Sequence, residues 1–378
     1  SSMAGQNWVS VLVVGRILSF FIVVIQLLIL VKLTKKFTSS NFIAIITITL
    51  YILLISGHIY AVRPDALKTL FFVLFINYLT EYLFFSNKTK DAVMCICAAV
   101  LAVYTKQDIA VYTSLIFLIA LIFSPTKKTI FLFISFHIIC LLIFLVLWMT
   151  YGRSIFTNLV LFNLQSLKVV QSSYNVLLFV FSIIRTLPLI LLAIANFIKL
   201  QKANKAFSAA KLIAIAPVFF YPFIILSLFR PGANLNYTYE LCILLALNIA
   251  LFISLNIDII KNKLVIFTCI LAAYIGILFF TNALINTYHF DKAKELIHKN
   301  DYFTCMNERD SIKKFIQNNI VFFPNTKYAL YFADKNVVLG HDMHLDRFIN
   351  LYTDVQIQSK LSFVSTVAYD ANFTNGIV

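Results

Sequence analysis

His58-Ile59-Tyr60-Ala61-Val62-Arg63-Pro64-Asp65 joins two apolar runs, residues 42–61 and 67–85. It sets a cation and an acid side by side where one run ends and the next begins. Such placement carries weight because charge is scarce in this chain. Of its 378 residues 61% are hydrophobic and only 12% charged, and the mean hydropathy is +0.89. Soluble globular domains carry roughly a quarter charged residues. The chain therefore reads as a membrane protein, and each charged position needs a reason.

A helix needs about 20 predominantly apolar residues to cross a bilayer core. Ten apolar runs lie near 9–31, 42–61, 67–85, 92–104, 109–123, 130–150, 175–198, 209–229, 238–255 and 264–283. The breaks between them alternate in character. One set is rich in lysine: Lys35-Lys36, Lys88 with Lys90, Lys127-Lys128, Lys202 with Lys205, and Lys261 with Lys263. The other set carries sparse charge: Arg63/Asp65, Lys106/Asp108, Arg153, Arg230 and the exit after residue 283. Lysine and arginine collect in cytoplasmic loops. The alternation predicts ten spans, with the lysine-rich loops cytoplasmic and the others extracytoplasmic, in an inner or plasma membrane. The formal net charge of +15 is mostly this anchoring. It is spread over loops on one face rather than gathered in a patch, which argues against nucleic acid as a partner.

This topology puts residues 1–8 outside, with no signal-peptide pattern, so at least one earlier span is expected upstream. The fold class expected is an α-helical polytopic membrane domain over residues 1–283, followed by a small α/β extracytoplasmic domain over 284–378, itself expected to continue. In that tail Ser311–Asn318 reads as an amphipathic helix. Ile320–Phe323 and Asn336–Leu339 read as short strands around a helix at Thr326–Asp334. His341 and His344 have no further spaced ligands and predict no metal site. Five of the six cysteines fall in apolar runs, and Cys305 is alone in the tail, so no disulfide framework is expected.

The sparse-charge breaks hold the polar sets. Arg63-Pro64-Asp65 reads as a helix start, with the proline preset for the first turn and the acid suited to the helix dipole. Thr105-Lys106-Gln107-Asp108 is wedged between two short runs. Gly152-Arg153 precedes an amphipathic stretch, Ser154–Tyr174, expected to lie along the membrane surface. Arg230 to Glu240 includes Asn236 and Tyr237, and Glu240 falls at the mouth of the ninth run. Each set alone has a structural reading. Together they offer a cation at every mouth, most with an acid or amides beside it, which suits a phosphate-bearing lipid. Carboxylates there can move protons or hold a metal. Within the runs, Arg16 and Arg185 are expected to face the bundle interior or a wet cavity. Structural pairing with another helix is the role expected of both, and Arg16, nearer the outer face, is the better functional candidate. Glu81 and Lys211 read as snorkelling groups, and His137 as a packing residue.

Arg63-Pro64-Asp65, Lys106-Gln107 and Gly232…Asn236-Tyr237…Glu240 resemble the bacterial polytopic glycosyltransferases of the GT-C fold, relatives of protein O-mannosyltransferases and of lipid A aminoarabinose transferases. The resemblance covers most of residues 1–283. It implies a transferase that moves a sugar from a polyprenyl-phosphate carrier to a lipid, glycan or protein acceptor at the extracytoplasmic face, with inversion. It implies a base in the first outer loop, here upstream of residue 9, and basic residues on the donor phosphate, with a divalent metal (Mg or Mn) in some members. On this sequence Lys106, Arg230, Arg63 and Arg16 become the phosphate-binding residues. Asp65 becomes a catalytic or metal-coordinating acid. Gln107, Asp108, Asn236, Tyr237 and Glu240 become the sugar or acceptor pocket.

The competing readings are a flippase or transporter of lipid-linked sugars, a polysaccharide polymerase or ligase, and a structural subunit. Transporters often show two similar halves; no internal repeat is evident here. The topology is testable by labelling in a background freed of native cysteines. Thr89→Cys, Lys127→Cys and Asn262→Cys should react only from the cytoplasmic side, and Pro64→Cys, Arg153→Cys and Ala233→Cys only from outside. Labelling of positions 64 and 89 from one side would break the alternation.

Overall fold

Each apolar run forms a helix over its described residues. The computed structural model describes residues 8–55, 65–152, 173–203, 206–228 and 235–298, with strands at 321–323, 337–339 and 366–367. The helices are α1 (Trp8–Thr38), α2 (Asn41–Ile55), α3 (Asp65–Thr80), α4 (Thr89–Thr105), α5 (Ile109–Phe123), α6 (Lys127–Tyr151), α7 (Ser173–Ala203), α8 (Ala209–Ser227), α9 (Tyr239–Leu255), the short α10 (Ile257–Asn262) and α11 (Leu264–His298). Among the described residues, six helical segments are long and apolar enough to cross a membrane: Val13–Thr38, Asp65–Phe85, Lys127–Tyr151, Phe179–Ala203, Ala209–Ser227 and Leu264–Leu284. α2, α5 and α9 are apolar but shorter. The chain divides into two compact units: residues 13–159 with 169–285, and residues 1–12, 160–168 and 286–378.

In the larger unit the helix ends are set by local chemistry. Ser39, at φ 51°, reverses the chain after α1, and its N–H bonds Lys35 O at 3.0 Å, closing the helix through a left-handed residue. Ser40 Oγ then accepts from Ile43 N at 3.3 Å and opens α2. Thr126 and Thr129 form a reciprocal capping box at the start of α6, and Gly152, at φ 61°, ends it. α3 runs into one π-helical stretch, Glu81–Phe85. There Glu81 pairs with Lys36 instead of reaching for the interface. Lys211 also does not snorkel: it is buried and donates to Gln201 Oε1. His137 is more than packing, since its ring nitrogens bond Ser114 Oγ at 3.2 Å and Phe133 O at 2.7 Å.

α9 is the hub. Every residue from Tyr239 to Leu251 is buried, as expected of a helix that is apolar all round, and it packs on α2, α3, α7 and α8. Rings from α3, α5, α6 and α8 build the adjoining core: Phe75 on Phe117 at 5.0 Å, Phe117 on Phe136 at 5.1 Å, and Tyr112 on Phe220 at 4.9 Å. By contrast, α6 and the first half of α11 expose large aliphatic side chains, among them Ile134, Leu141, Val265 and Ile270, which suits hydrocarbon as the surrounding solvent. Threonines inside helices bond their own backbone, as Thr34 Oγ1 does to Leu30 O at 2.9 Å and Thr47 Oγ1 to Ile43 O at 2.8 Å. Lipid offers no such partner.

In the smaller unit β1 (Val321–Phe323) pairs in parallel with β2 (Val337–Leu339) and with β3 (Thr366–Val367), in the order β2-β1-β3. The first two strands lie within the segments read as strands from the sequence; the third was not anticipated. The helices expected at 311–318 and 326–334, and residues 154–172 of the amphipathic stretch, lie outside the described residues.

Arg185 has the helix-pairing role expected of it. From α7 its Nη2 donates to Leu53 O at 3.2 Å and to Leu54 O in the last turn of α2. Asn282 Nδ2 of α11 joins it on Leu53 O at 2.9 Å. Arg185→Leu leaves Leu54 O without this donor, and a buried unsatisfied group costs about 1–3 kcal/mol. Detergent-purified Arg185→Leu should melt below wild type; an unchanged melting temperature would show that the clamp contributes nothing.

Candidate functional site

The polar mouths converge. Asp65 opens α3, so Asp65, Lys68 and Thr69 fall at i, i+3 and i+4 on one helix face. The turn between α4 and α5 supplies Lys106 and Asp108. A 3₁₀ turn, Leu235–Thr238, leads into α9 and supplies Tyr237, with Glu240 in the first turn of α9.

Lys68 is the centre of this group. Its side chain is fully buried, and its Nζ lies 3.1 Å from Asp108 Oδ2, 3.2 Å from Glu240 Oε1 and 3.9 Å from Asp65 Oδ1. An ammonium has three donors and no acceptor, and here three carboxylates surround it. Lys106 Nζ lies 2.6 Å from Asp65 Oδ1 and 3.7 Å from Asp108 Oδ2. It sits over the Tyr237 ring at 4.6 Å from the centroid, within cation–π range. Lys106 is the outermost of the five, with a side chain 23% exposed. Asp108 stands at the N-cap of α5 but makes no capping bond; its carboxylate is turned to the lysines instead.

A shell of hydrogen bonds holds these groups. Thr69 Oγ1 donates to Glu240 Oε1 at 2.9 Å. Gln26 of α1 donates to Ala66 O at 2.6 Å and accepts from Tyr51 OH at 3.0 Å, tying the start of α3 to α1 and α2. Among the described residues, two oxygens of the cluster have no hydrogen-bond partner though buried: Asp108 Oδ1 and Glu240 Oε2. The five charged side chains formally sum to −1, from three carboxylates and two lysines.

Of the residues expected in a site, the structure brings together Asp65, Lys106, Asp108, Tyr237 and Glu240. Lys106 pairs with Asp65, whose Oδ1 faces both lysines. Among the described residues no three His, Cys, Asp or Glu side chains form a metal-ligand set; in this cluster the Lys68 ammonium takes the place of a central cation. Arg16 is exposed and does not face the interior as expected. Gln107 is half-buried, and its backbone O accepts from Ala110 N at 3.0 Å in the turn that opens α5. Arg63, Arg230 and the side chain of Asn236 lie outside the described residues.

Lys68, Thr69, Gln26 and Tyr51 escaped the sequence reading. The signal for Lys68 was present: a lysine one turn inside an apolar helix requires partners, and Asp65 is three residues before it. Its partners Asp108 and Glu240 are distant in sequence, and only the fold joins them. Compared with known proteins, the chain matches no family model, no curated protein and no solved structure.

Breaking a buried ion pair by removing one partner typically costs about 3–5 kcal/mol. Lys68→Met should therefore lower thermal stability sharply, and adding Glu240→Leu should restore part of the loss, since the two groups share one network. Strictly additive losses in the double variant would show that Lys68 and Glu240 are not coupled.

Proposed function

We propose that this chain is an integral membrane glycosyltransferase, with about ten spans, that takes a sugar from a polyprenyl-phosphate donor and transfers it, with inversion, to an acceptor at the extracytoplasmic face. One observation carries this reading. Asp65, Lys106, Asp108, Tyr237 and Glu240, chosen as a site from three separate breaks between apolar runs, lie within one cluster. The GT-C resemblance supplies the reaction class. In this reading the strand-bearing C-terminal unit is extracytoplasmic.

Cleavage of the sugar–phosphate bond leaves a phosphate monoester and raises its negative charge. A preorganised cation near that oxygen stabilises the transition state more than the ground state. Lys106 fits this role, being partly exposed, fixed by Asp65 and resting on Tyr237. Asp65 is then a positioning residue. Lys68 is sealed and holds the acids in place. Asp108 Oδ1 and Glu240 Oε2 are acceptors without donors, and sugar hydroxyls are donors. Arg63 and Arg230, next to these residues in sequence, add the cations that a net-negative cluster needs to receive a phosphate. No step is assigned to a metal. A carrier for lipid-linked sugar is supported less well, because it needs ligand groups reachable from both faces, and this cluster draws its charges from one end of the bundle. A polymerase or ligase would differ in acceptor, which the assay below reads.

The test uses full-length protein in membranes with radiolabelled polyprenyl-phosphate sugar. Loss of one preorganised donor to a developing anion typically costs about 10²–10³ in rate, so Lys106→Ala should fall in that range for donor kcat/KM. Asp65→Asn should fall too, and the double variant should be no worse than Lys106→Ala alone, because Asp65 acts through Lys106. Normal kcat/KM for the donor in Lys106→Ala would overturn the phosphate assignment, and fully multiplicative losses would overturn the positioning role.

A further inference from the structure

At the other end of α9, about 20 Å from Glu240 by helix rise, a groove of 710 Å³ opens between α2, α9, α10 and α11. Its walls include Ile43, Ile46, Phe267 and Leu271, and its rim holds Ser40 and Lys261. The volume lies within the range of about 300–1,000 Å³ usual for small-molecule pockets. We propose that this groove is a binding site for an anionic phospholipid, with one acyl chain between α2 and α11 and the phosphate at Lys261.

Three observations converge on that occupant. The first is the surrounding medium. α11 presents Leu264, Val265, Ile266 and Ile270 outward as exposed aliphatic side chains, so a groove beside them opens on hydrocarbon. The second is depth. From Leu264 to Leu271 the wall descends about 10 Å by helix rise, well into one leaflet of a hydrocarbon core about 30 Å thick, with its polar rim at the helix ends. The third is charge. Lys261 is the one charged residue lining the groove. It is exposed, and neither it nor nearby Lys263 makes an ion pair among the described residues. Two other lysines at this end are engaged: Lys36 with Glu81, and Lys199 with Leu255 O and Asn256 Oδ1. A free cation over an apolar slot complements a phosphate head on an acyl tail, and basic pockets between membrane helices bind anionic head groups. The site is separate from the ionic cluster, so it stands or falls independently of the transferase reading.

The experiment places delipidated full-length protein in nanodiscs of equal phosphatidylglycerol and phosphatidylcholine and counts lipids retained after release into native mass spectrometry. Wild type should retain phosphatidylglycerol over phosphatidylcholine at least threefold. Lys261→Glu should remove that preference. Ile46→Trp, which fills the groove from α2, should remove the retained lipid. Thr268→Phe fills it from α11 and serves if Ile46→Trp does not fold. Retention of both lipids in their nanodisc ratio by wild type would overturn the proposal. So would undiminished phosphatidylglycerol on a folded groove-filling variant, or a lipid-free dimer closing the groove with a second copy.

Discussion

A lysine ammonium cannot be left bare inside a membrane protein, and Lys68 shows how far that requirement reaches. Moving one charge out of water costs several kcal/mol even after relaxation. Lys68 meets the cost with Asp108 Oδ2 and Glu240 Oε1 in direct contact and Asp65 Oδ1 at the edge of reach. Those acids come from α9, the α4–α5 turn and the start of α3. Three parts of the chain that share no sequence proximity are thus held at one point. A shift of α9 along its axis by one turn would move Glu240 about 5.4 Å and take its carboxylate away from Lys68. The pairing therefore acts as a register lock for the hub helix, whose apolar surface would tolerate sliding far better than its one acid does.

The same rule, applied more gently, explains the rest of the bundle's polar groups. Asn248 Nδ2 reaches Ile213 O at 2.7 Å while its own carbonyl accepts from Asn196 Nδ2 at 2.8 Å, tying α9 to α7 and α8. Arg185 and Asn282 close the end of α2. Among the described residues, the unpartnered oxygens of Asp108 and Glu240 belong to one cluster. Acceptors left open in a packed interior are met by donors from outside the bundle, from water or from a hydroxyl-bearing guest.

The helices were legible in the sequence because lipid simplifies the code: apolar runs fold as helices, and lysine clusters and turn residues punctuate them. The exits at Lys35-Lys36, Lys127-Lys128 and Lys261-Asn262-Lys263 all fall at helix boundaries. The mouth residues were legible as well, since an acid or lysine among so few charges attracts notice. Their pairing was not. Periodicity places Asp65 and Lys68 on one face, but nothing local indicates that Glu240 meets them across 172 positions. Arg16 misled for a related reason. A charge inside an apolar run implies an inward face only when the helix packs on all sides, and α1 exposes Val13, Val14, Ile17 and Leu18 around it.

The pairing of Lys106 with Asp65 also changes what the mouth can do. An unpaired lysine would attract any anion, including the head groups of bulk lipid. A lysine already neutralised by Asp65 and steadied by Tyr237 attracts weakly at range, yet offers a fixed N–H at short range. Its contribution then grows as charge develops on an oxygen placed against it, which is the condition for favouring a transition state over a ground state. A cluster that sums to −1 cannot by itself draw in a phosphate diester. In the proposed transferase reading, capture of the donor falls to the loop cations Arg63 and Arg230, and stabilisation of the transition state to Lys106 on its ionic scaffold.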